Sequence, residues 1–211
     1  MKIIALIMAG GKGTRFGGNI EKPMALFKGK PLIRHVIEAV KETEKIADIY
    51  VVVTAYTPKT TQEAMKACMN VIQTDGRGYH SDVQQAVKDT NLKGPVLIIS
   101  SDLPLLNGKF LDEIIERYEE SGKPALTVLI PEEAFSMYGL SAVSQYEYEE
   151  KMYAVSGINI IDGGQILEEQ EQEVVISCQP EAVFTVNSVN DLTAAKKYLT
   201  QIMGESKRNK D

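Results

Sequence analysis

Residues 9 to 18 read Ala-Gly-Gly-Lys-Gly-Thr-Arg-Phe-Gly-Gly, five glycines and two cations in ten residues. Glycine lets a backbone turn sharply and approach a ligand, and successive N–H groups in such a loop form a concave anion site. Lys12 and Arg15 add fixed positive charge, and a guanidinium can hold two phosphate oxygens at once. The loop suits a polyphosphate, and a plain strand-to-helix turn needs neither this many glycines nor the cations. It is not a Walker A loop, because Gly13 separates Lys12 from Thr14 where that motif has Lys followed directly by Ser or Thr. Nor is it a dinucleotide fingerprint, in which a helix opens at once. Here the cationic stretch runs on through Glu21-Lys22-Pro23 before any helix signal. The second chemical group is Asp102, in Ser100-Ser101-Asp102-Leu103-Pro104. Mg²⁺ prefers one or two carboxylates with phosphate oxygens and water, which a lone Asp facing a cationic loop provides. A turn or helix N-cap aspartate is the alternative reading of that residue.

Both stretches follow short apolar runs. Ile3 to Met8 and Val96 to Ile99 are continuous apolar segments of strand length, as in a parallel sheet buried on both faces. Further strands are expected at Asp48 to Thr54, Asn70 to Gln73 and Ala125 to Ile130, then at Gly157 to Ile161, Val174 to Ser177 and Val183 to Val186. Pro31 opens a helix with Leu32, Ile33, Val36, Ile37 and Val40 on one face. Helices follow at Lys59 to Met69, Ser81 to Asp89 and across Phe110 to Tyr118, stopped by Gly122, and a last one starts near Ser188 with Leu192, Ala195, Leu199 and Ile202. Strand and helix in alternation predict a Rossmann-like, doubly wound α/β fold, its mostly parallel sheet covered by helices on both faces. Residues 1–204 are expected to form one domain, with an irregular acceptor-side flap or insertion at 131–155 and a frayed charged tail at 205–211. In such a sheet ligands bind beyond the carboxyl ends of the strands, which is where both chemical stretches lie.

Composition narrows the function classes. A net charge of −6 argues against a general nucleic-acid binder but not against an anionic small molecule held by a few lysines. Cys68 and Cys178 stand in unrelated contexts, which fits a reducing, cytoplasmic setting without disulfides or a zinc site. The apolar N-terminal run is too short for a membrane span and enters the glycine loop with no signal-peptide cleavage context.

The stretch Leu6 to Gly18, with Glu21-Lys22-Pro23 after it, resembles the nucleotidyltransferase signature of sugar-nucleotide pyrophosphorylases and molybdopterin guanylyltransferases. Within that superfamily the chain is most similar to the archaeal GTP:adenosylcobinamide-phosphate guanylyltransferases. That likeness is carried by Thr57-Pro-Lys-Thr60, Asp75-Gly-Arg-Gly-Tyr79, Ser100-Ser-Asp-Leu103, Ser156-Gly-Ile-Asn159 and Val186-Asn187. It implies a nucleotide-diphospho-sugar-transferase-like fold, GTP and adenosylcobinamide phosphate as substrates, and Mg²⁺ as cofactor. Ala9, Gly10, Gly11, Gly13 and Thr14 would then cradle the triphosphate, and Lys12 and Arg15 would hold the β- and γ-phosphates. Lys22 would reach the α-phosphate, Asp102 and Asn187 would serve the metal, and Gly157 would let the second substrate come close. The family often has a second carboxylate where this chain has Asn187, which weakens the case for strict metal dependence. The remaining readings are a molybdopterin or sugar/polyol-phosphate nucleotidyltransferase, or a non-catalytic GTP-binding regulator.

Weaker signals remain open. Asp75 and Gly76 could read the base or ribose or form a surface turn, and Thr54 and Lys59 could line the base pocket. His35 reads as structural. Met137, Tyr138, Tyr146, Tyr148, Met152 and Tyr153 suit a flap over a bulky ligand, a homodimer contact or simple packing.

Overall fold

The computed structural model describes residues 2–16, 20–140 and 145–208, so Gly17 and Gly18 of the loop, and 141–144 of the expected flap, lie outside the described residues. Strand β1 (Ile3–Met8) is the axis of the sheet. A two-stranded ribbon of β2 (Leu26–Phe27) and β3 (Lys30–Pro31) turns at Lys28-Gly29, both at positive φ, before α1 (Leu32–Glu42). The chain continues through β4 (Ile46–Thr54), α2 (Pro58–Lys66), β5 (Asn70–Thr74), α3 (Tyr79–Asp89), β6 (Pro95–Ser100), α4 (Gly108–Ser121) and β7 (Ala125–Pro131). It then forms α5 (Glu132–Met137), β8 (Gln145–Tyr148), β9 (Lys151–Asp162), β10 (Gln172–Ile176), α6 (Pro180–Val183) and α7 (Val189–Arg208).

The main sheet has the order β10-β7-β9-β6-β1-β4-β5, with β8 paired to β9. Pairings are parallel except those of β9, which runs antiparallel between β6 and β7. The doubly wound, mostly parallel α/β fold read from the sequence is therefore the observed one. Alternate residues of the central strands feed two clusters. Ile3, Ala5, Ile7, Val51, Val53, Leu97 and Ile99 pack with the buried stripe of α1 and with α4. Leu6, Val52, Val96 and Ile98 pack with Val83, Ala86 and Val87 of α3 on the other face. Gly122 ends α4 in the left-handed conformation, as read.

Three expectations fail. The apolar run Val183 to Val186 is not a strand. Pro180 starts the short helix α6, which ends at Val183, and Ala182, Val183, Phe184 and Val186 are all buried. So short a stretch, apolar except for Thr185, does not distinguish buried strand from buried helix. The segment 131–155 is not irregular over its described residues, where it supplies α5, β8 and the first part of β9. Its strand signal is hidden because β8 carries Glu147 beside exposed Tyr146 and pairs only with β9, so the usual apolar alternation is absent. Helix α7 also runs on to Arg208, into the expected tail, and 209–211 lie outside the described residues.

Candidate active site

The loop leaves β1 between its two parallel neighbours. Ala9 N donates to Val52 O at 2.8 Å, and Ser101 N donates to Met8 O at 3.2 Å. Gly10 packs against β4 so closely that a Cβ there would meet Thr54 Cγ2 at 2.5 Å. The Thr54 hydroxyl donates to the Gly10 carbonyl at 2.7 Å and accepts from Tyr56 N at 3.2 Å. Thr54 is thus buried and holds the loop from behind, and it does not line the cleft as expected. At Gly11, by contrast, a Cβ would meet nothing within 4 Å, so its bare backbone faces open cleft. Gly13 has φ +59°, the left-handed region that favours glycine. Thr14 is exposed in a 3-10 turn spanning Thr14–Phe16, and the side chain of Arg15 lies outside the described part of the structure. Lys12 Nζ stands 4.7 Å from the centre of the Tyr56 ring, a cation held over an aromatic face at the cleft wall.

Lys22, Asp102 and Asn187 come together from three distant segments. Lys22 is ion-paired to Asp102 Oδ2 and donates to Asn187 Oδ1 at 3.3 Å. Its position is fixed by Glu21, whose carboxylate accepts from Lys59 N at 2.8 Å and from Thr60 N and Oγ1 at 2.7 Å each. The two N–H groups lie in the first turn of α2, where they have no partner within the helix and a carboxylate also meets the positive end of the helix dipole. Lys59 accordingly contributes its backbone to this cap, and its side chain does not line the cleft. Asn187 is set by Val186 N donating to Asp102 O at 2.9 Å and by Asn187 N donating to Asp191 Oδ2 at 2.9 Å. Asp102 is 5% exposed, and its Oδ1 has no hydrogen-bond partner among the described residues. Leaving a buried carboxylate oxygen unpaired costs on the order of 1–3 kcal/mol or more, so this atom is the natural place for an incoming cation or donor.

Two cavities meet at this group. The first, about 430 Å³, runs from Gly10, Gly11 and Lys12 past Tyr56 and Thr74 to Gly76, Arg77, Gly78 and Asp82. Gly76 is at φ +70°, and a Cβ there would meet the Tyr56 ring at 2.9 Å. Gly76 borders the cleft and Asp75 does not; Asp75 is half exposed and paired with Arg77 at 3.0 Å. Asp82 and Asp102 are the carboxylates lining this cavity among the described residues, and Asp82 Oδ1 accepts from Gly76 N at 3.0 Å. The second cavity, about 840 Å³, lies between α3 and the β8–β9 hairpin, over β6, β9 and β7. Gly157 lines it at φ +80°, at the register shift between β7 and β9. A Cβ on Gly157 would meet Ser100 Cβ at 2.8 Å, so this glycine serves the packing of β9 on β6. Tyr79, Asn159, Thr127 and Asp82 border these cavities without having been singled out as site residues. Tyr79 and Asn159 stood in motifs noted above, whereas nothing local marks Thr127 or Asp82.

Comparison with known proteins places this architecture. Residues 5–172 match the family described as MobA-like NTP transferase domain. The chain belongs to that family. This MobA-like transferase is 31% identical over 205 residues to adenosylcobinamide-phosphate guanylyltransferase of Methanocaldococcus jannaschii, covering 92% of this chain and 96% of that protein. It is 36% identical over 124 residues to a probable molybdenum cofactor guanylyltransferase of Thermococcus sibiricus, but spans only 57% of that relative. Its fold is shared with CMP:2-keto-3-deoxy-manno-octonic acid synthetase complexed with CTP, at a TM-score of 0.70 and 14% identity over 95% of this chain and 99% of that one. Among its described residues no helix is long and apolar enough to cross a membrane.

Proposed function

We propose that this enzyme transfers GMP from GTP to adenosylcobinamide phosphate, giving adenosylcobinamide-GDP and pyrophosphate. The observation that carries the reading is the meeting of two cavities at one charged group: Lys22, Tyr79, Ser100 and Asp102 line both. The first cavity has the glycine loop and Lys12, which suit a triphosphate. The second is larger and, apart from Lys22 and Asp102 at its inner end and His80, is lined by uncharged residues. That suits a bulky body carrying one phosphate. Full-length similarity to a guanylyltransferase acting on that acceptor supports the choice over molybdopterin or sugar phosphates.

In this reading an oxygen of the acceptor phosphate attacks the α-phosphorus of GTP. The new P–O bond forms as the α–β bridging bond breaks, and pyrophosphate leaves with the bonding electrons. The reaction needs positioning and charge neutralisation rather than a protein nucleophile. Loop N–H groups of Gly10 to Gly13, with Lys12 and Arg15, hold the β- and γ-phosphates, and Lys22 meets the charge building at the α-phosphate. The donor set also fits Mg²⁺: the unpaired Asp102 Oδ1 and the Asn187 side-chain oxygen would hold it, and it would neutralise phosphate charge. Asp82, which lines the first cavity, would accept from guanine's N1–H or 2-amino group. The reading includes a cytosolic location, where the exposed Cys68 and Cys178 stay as thiols.

The test is pyrophosphate release from GTP, ATP, CTP and UTP with Mg²⁺, with and without adenosylcobinamide phosphate. Release from GTP only with the corrinoid is the expected result. Release that instead requires molybdopterin or a sugar phosphate would overturn the acceptor assignment, and absence of release with every acceptor would leave only a GTP-binding protein.

A further inference from the structure

Of the four residues shared by the two cavities, Lys22 and Asp102 have their roles above, and Ser100 packs against Gly157. Tyr79 is left. It begins α3 and follows Gly78, whose φ of +127° swings the chain into the helix. It is 42% exposed and lines both cavities where they meet, beside Lys22 and Asp102. Thr127 Oγ1 donates to Asn159 Oδ1 at 2.7 Å, which occupies the amide oxygen, so that the amide N–H groups are what Asn159 has left for the Tyr79 phenol in the second cavity, which both residues line. A phenol that accepts in this way keeps its own proton for another partner. Desolvation pushes the phenol up to about 12; the Asn159 bond pulls it down and Asp102 adds to the rise. The group is therefore a neutral O–H donor at working pH.

We propose that the Tyr79 hydroxyl donates to the acceptor's phosphate at the transfer point, and that Asn159 and Thr127 are positioning residues acting through it. The inference rests on the two-cavity reading above. One phosphate oxygen is held by the Tyr79 O–H and another is left to attack the α-phosphorus; the tyrosine keeps its proton and no bond to it is made or broken.

Y79F, N159L and the double variant are compared with wild type in the pyrophosphate-release assay with GTP and adenosylcobinamide phosphate, and in GTP binding by calorimetry. Loss of a hydrogen bond to a charged group lowers Y79F in acceptor kcat/KM by about tenfold to a hundredfold. GTP affinity stays at the wild-type value, and the unfolding temperature falls by no more than the few degrees that one lost hydrogen bond costs. N159L falls in the same direction, and the double variant falls no further than Y79F, since both changes disable one donor. A purely structural role would instead move GTP affinity or give additive losses. An acceptor kcat/KM within about twofold of wild type in Y79F, or additive losses in the double variant, overturns the proposal. Should wild type release no pyrophosphate with the corrinoid, the function reading falls by itself. The same variants are then run on the phosphate monoester that does support release, where an unchanged acceptor kcat/KM in Y79F overturns the role of Tyr79.

Discussion

Replacing Gly10 by alanine would place a Cβ 2.5 Å from Thr54 Cγ2 and 3.3 Å from both the Thr54 nitrogen and the Val53 carbonyl carbon. Non-bonded carbons settle about 3.5–4.0 Å apart, so either Thr54 turns or the loop retreats by about 1 Å. Thr54 resists turning, because its hydroxyl donates to Gly10 O and accepts from Tyr56 N inside a buried site. A retreat of about 1 Å stretches the Thr54–Gly10 bond to about 3.7 Å, beyond hydrogen-bond range. That costs about 1 kcal/mol, a fall of roughly 2–4 °C in unfolding temperature for a chain of this size. The kinetic cost is larger, because a misplacement of about 1 Å at a phosphate-positioning loop is worth about a hundredfold in rate. Thr54→Ser removes Cγ2 and keeps the hydroxyl, so G10A/T54S is expected to recover about tenfold over G10A. The 3.3 Å backbone contacts keep it below wild type. Steady-state pyrophosphate release and thermal unfolding read both effects. G10A turning over within about threefold of wild type, or T54S giving no recovery, would refute the claim that Thr54 sets the loop through Gly10.

Gly11→Ala meets no protein atom, so it should melt like wild type while weakening GTP binding in calorimetry by about tenfold or more; normal affinity would show that the ligand does not approach there. Glu21→Ala uncaps α2 and frees the segment that carries Lys22. It should lose about 1 kcal/mol of stability in urea titration and lose turnover with it, and wild-type kcat would show that Lys22 is positioned by other contacts. Asp82→Asn replaces one acceptor oxygen by a donor, so the ratio of kcat/KM for GTP over ATP should fall by about tenfold or more. An unchanged ratio would move guanine recognition elsewhere. The Tyr79 phenol is raised to about 12 when folded and is near 10 unfolded. The folded form therefore holds its full stability below pH 10 and loses it as pH rises from 10 to 12. Stability measured by urea across that interval should fall less steeply in Y79F, and an identical slope would place the hydroxyl in water.

The parts of the site that were legible in the sequence are those that carry their reason locally. A buried strand, a glycine-rich turn and two cations are contiguous from Ile3 to Arg15, and Asp102 follows a strand that is apolar throughout. Because β1 and β6 are parallel neighbours in register, with Met8 opposite Ser100, the loop and Asp102 must emerge side by side. Other roles needed the tertiary pairing. Thr54 and Asp75 were correctly placed at strand ends, but whether such a residue faces the cleft depends on tertiary packing, as Gly10 against Thr54 shows. The second cavity was less legible still. Its walls come from β9, which pairs antiparallel with β6 and β7 across large sequence distances, and from β8, whose exposed Tyr and Glu residues hide the strand period. Thr127 illustrates the limit. In the sequence it is a polar residue inside the apolar strand Ala125–Pro131, where a lone hydroxyl would be a defect to explain. Only the register that sets it opposite Asn159, 32 residues further on, shows the bond to that amide that gives the hydroxyl its partner.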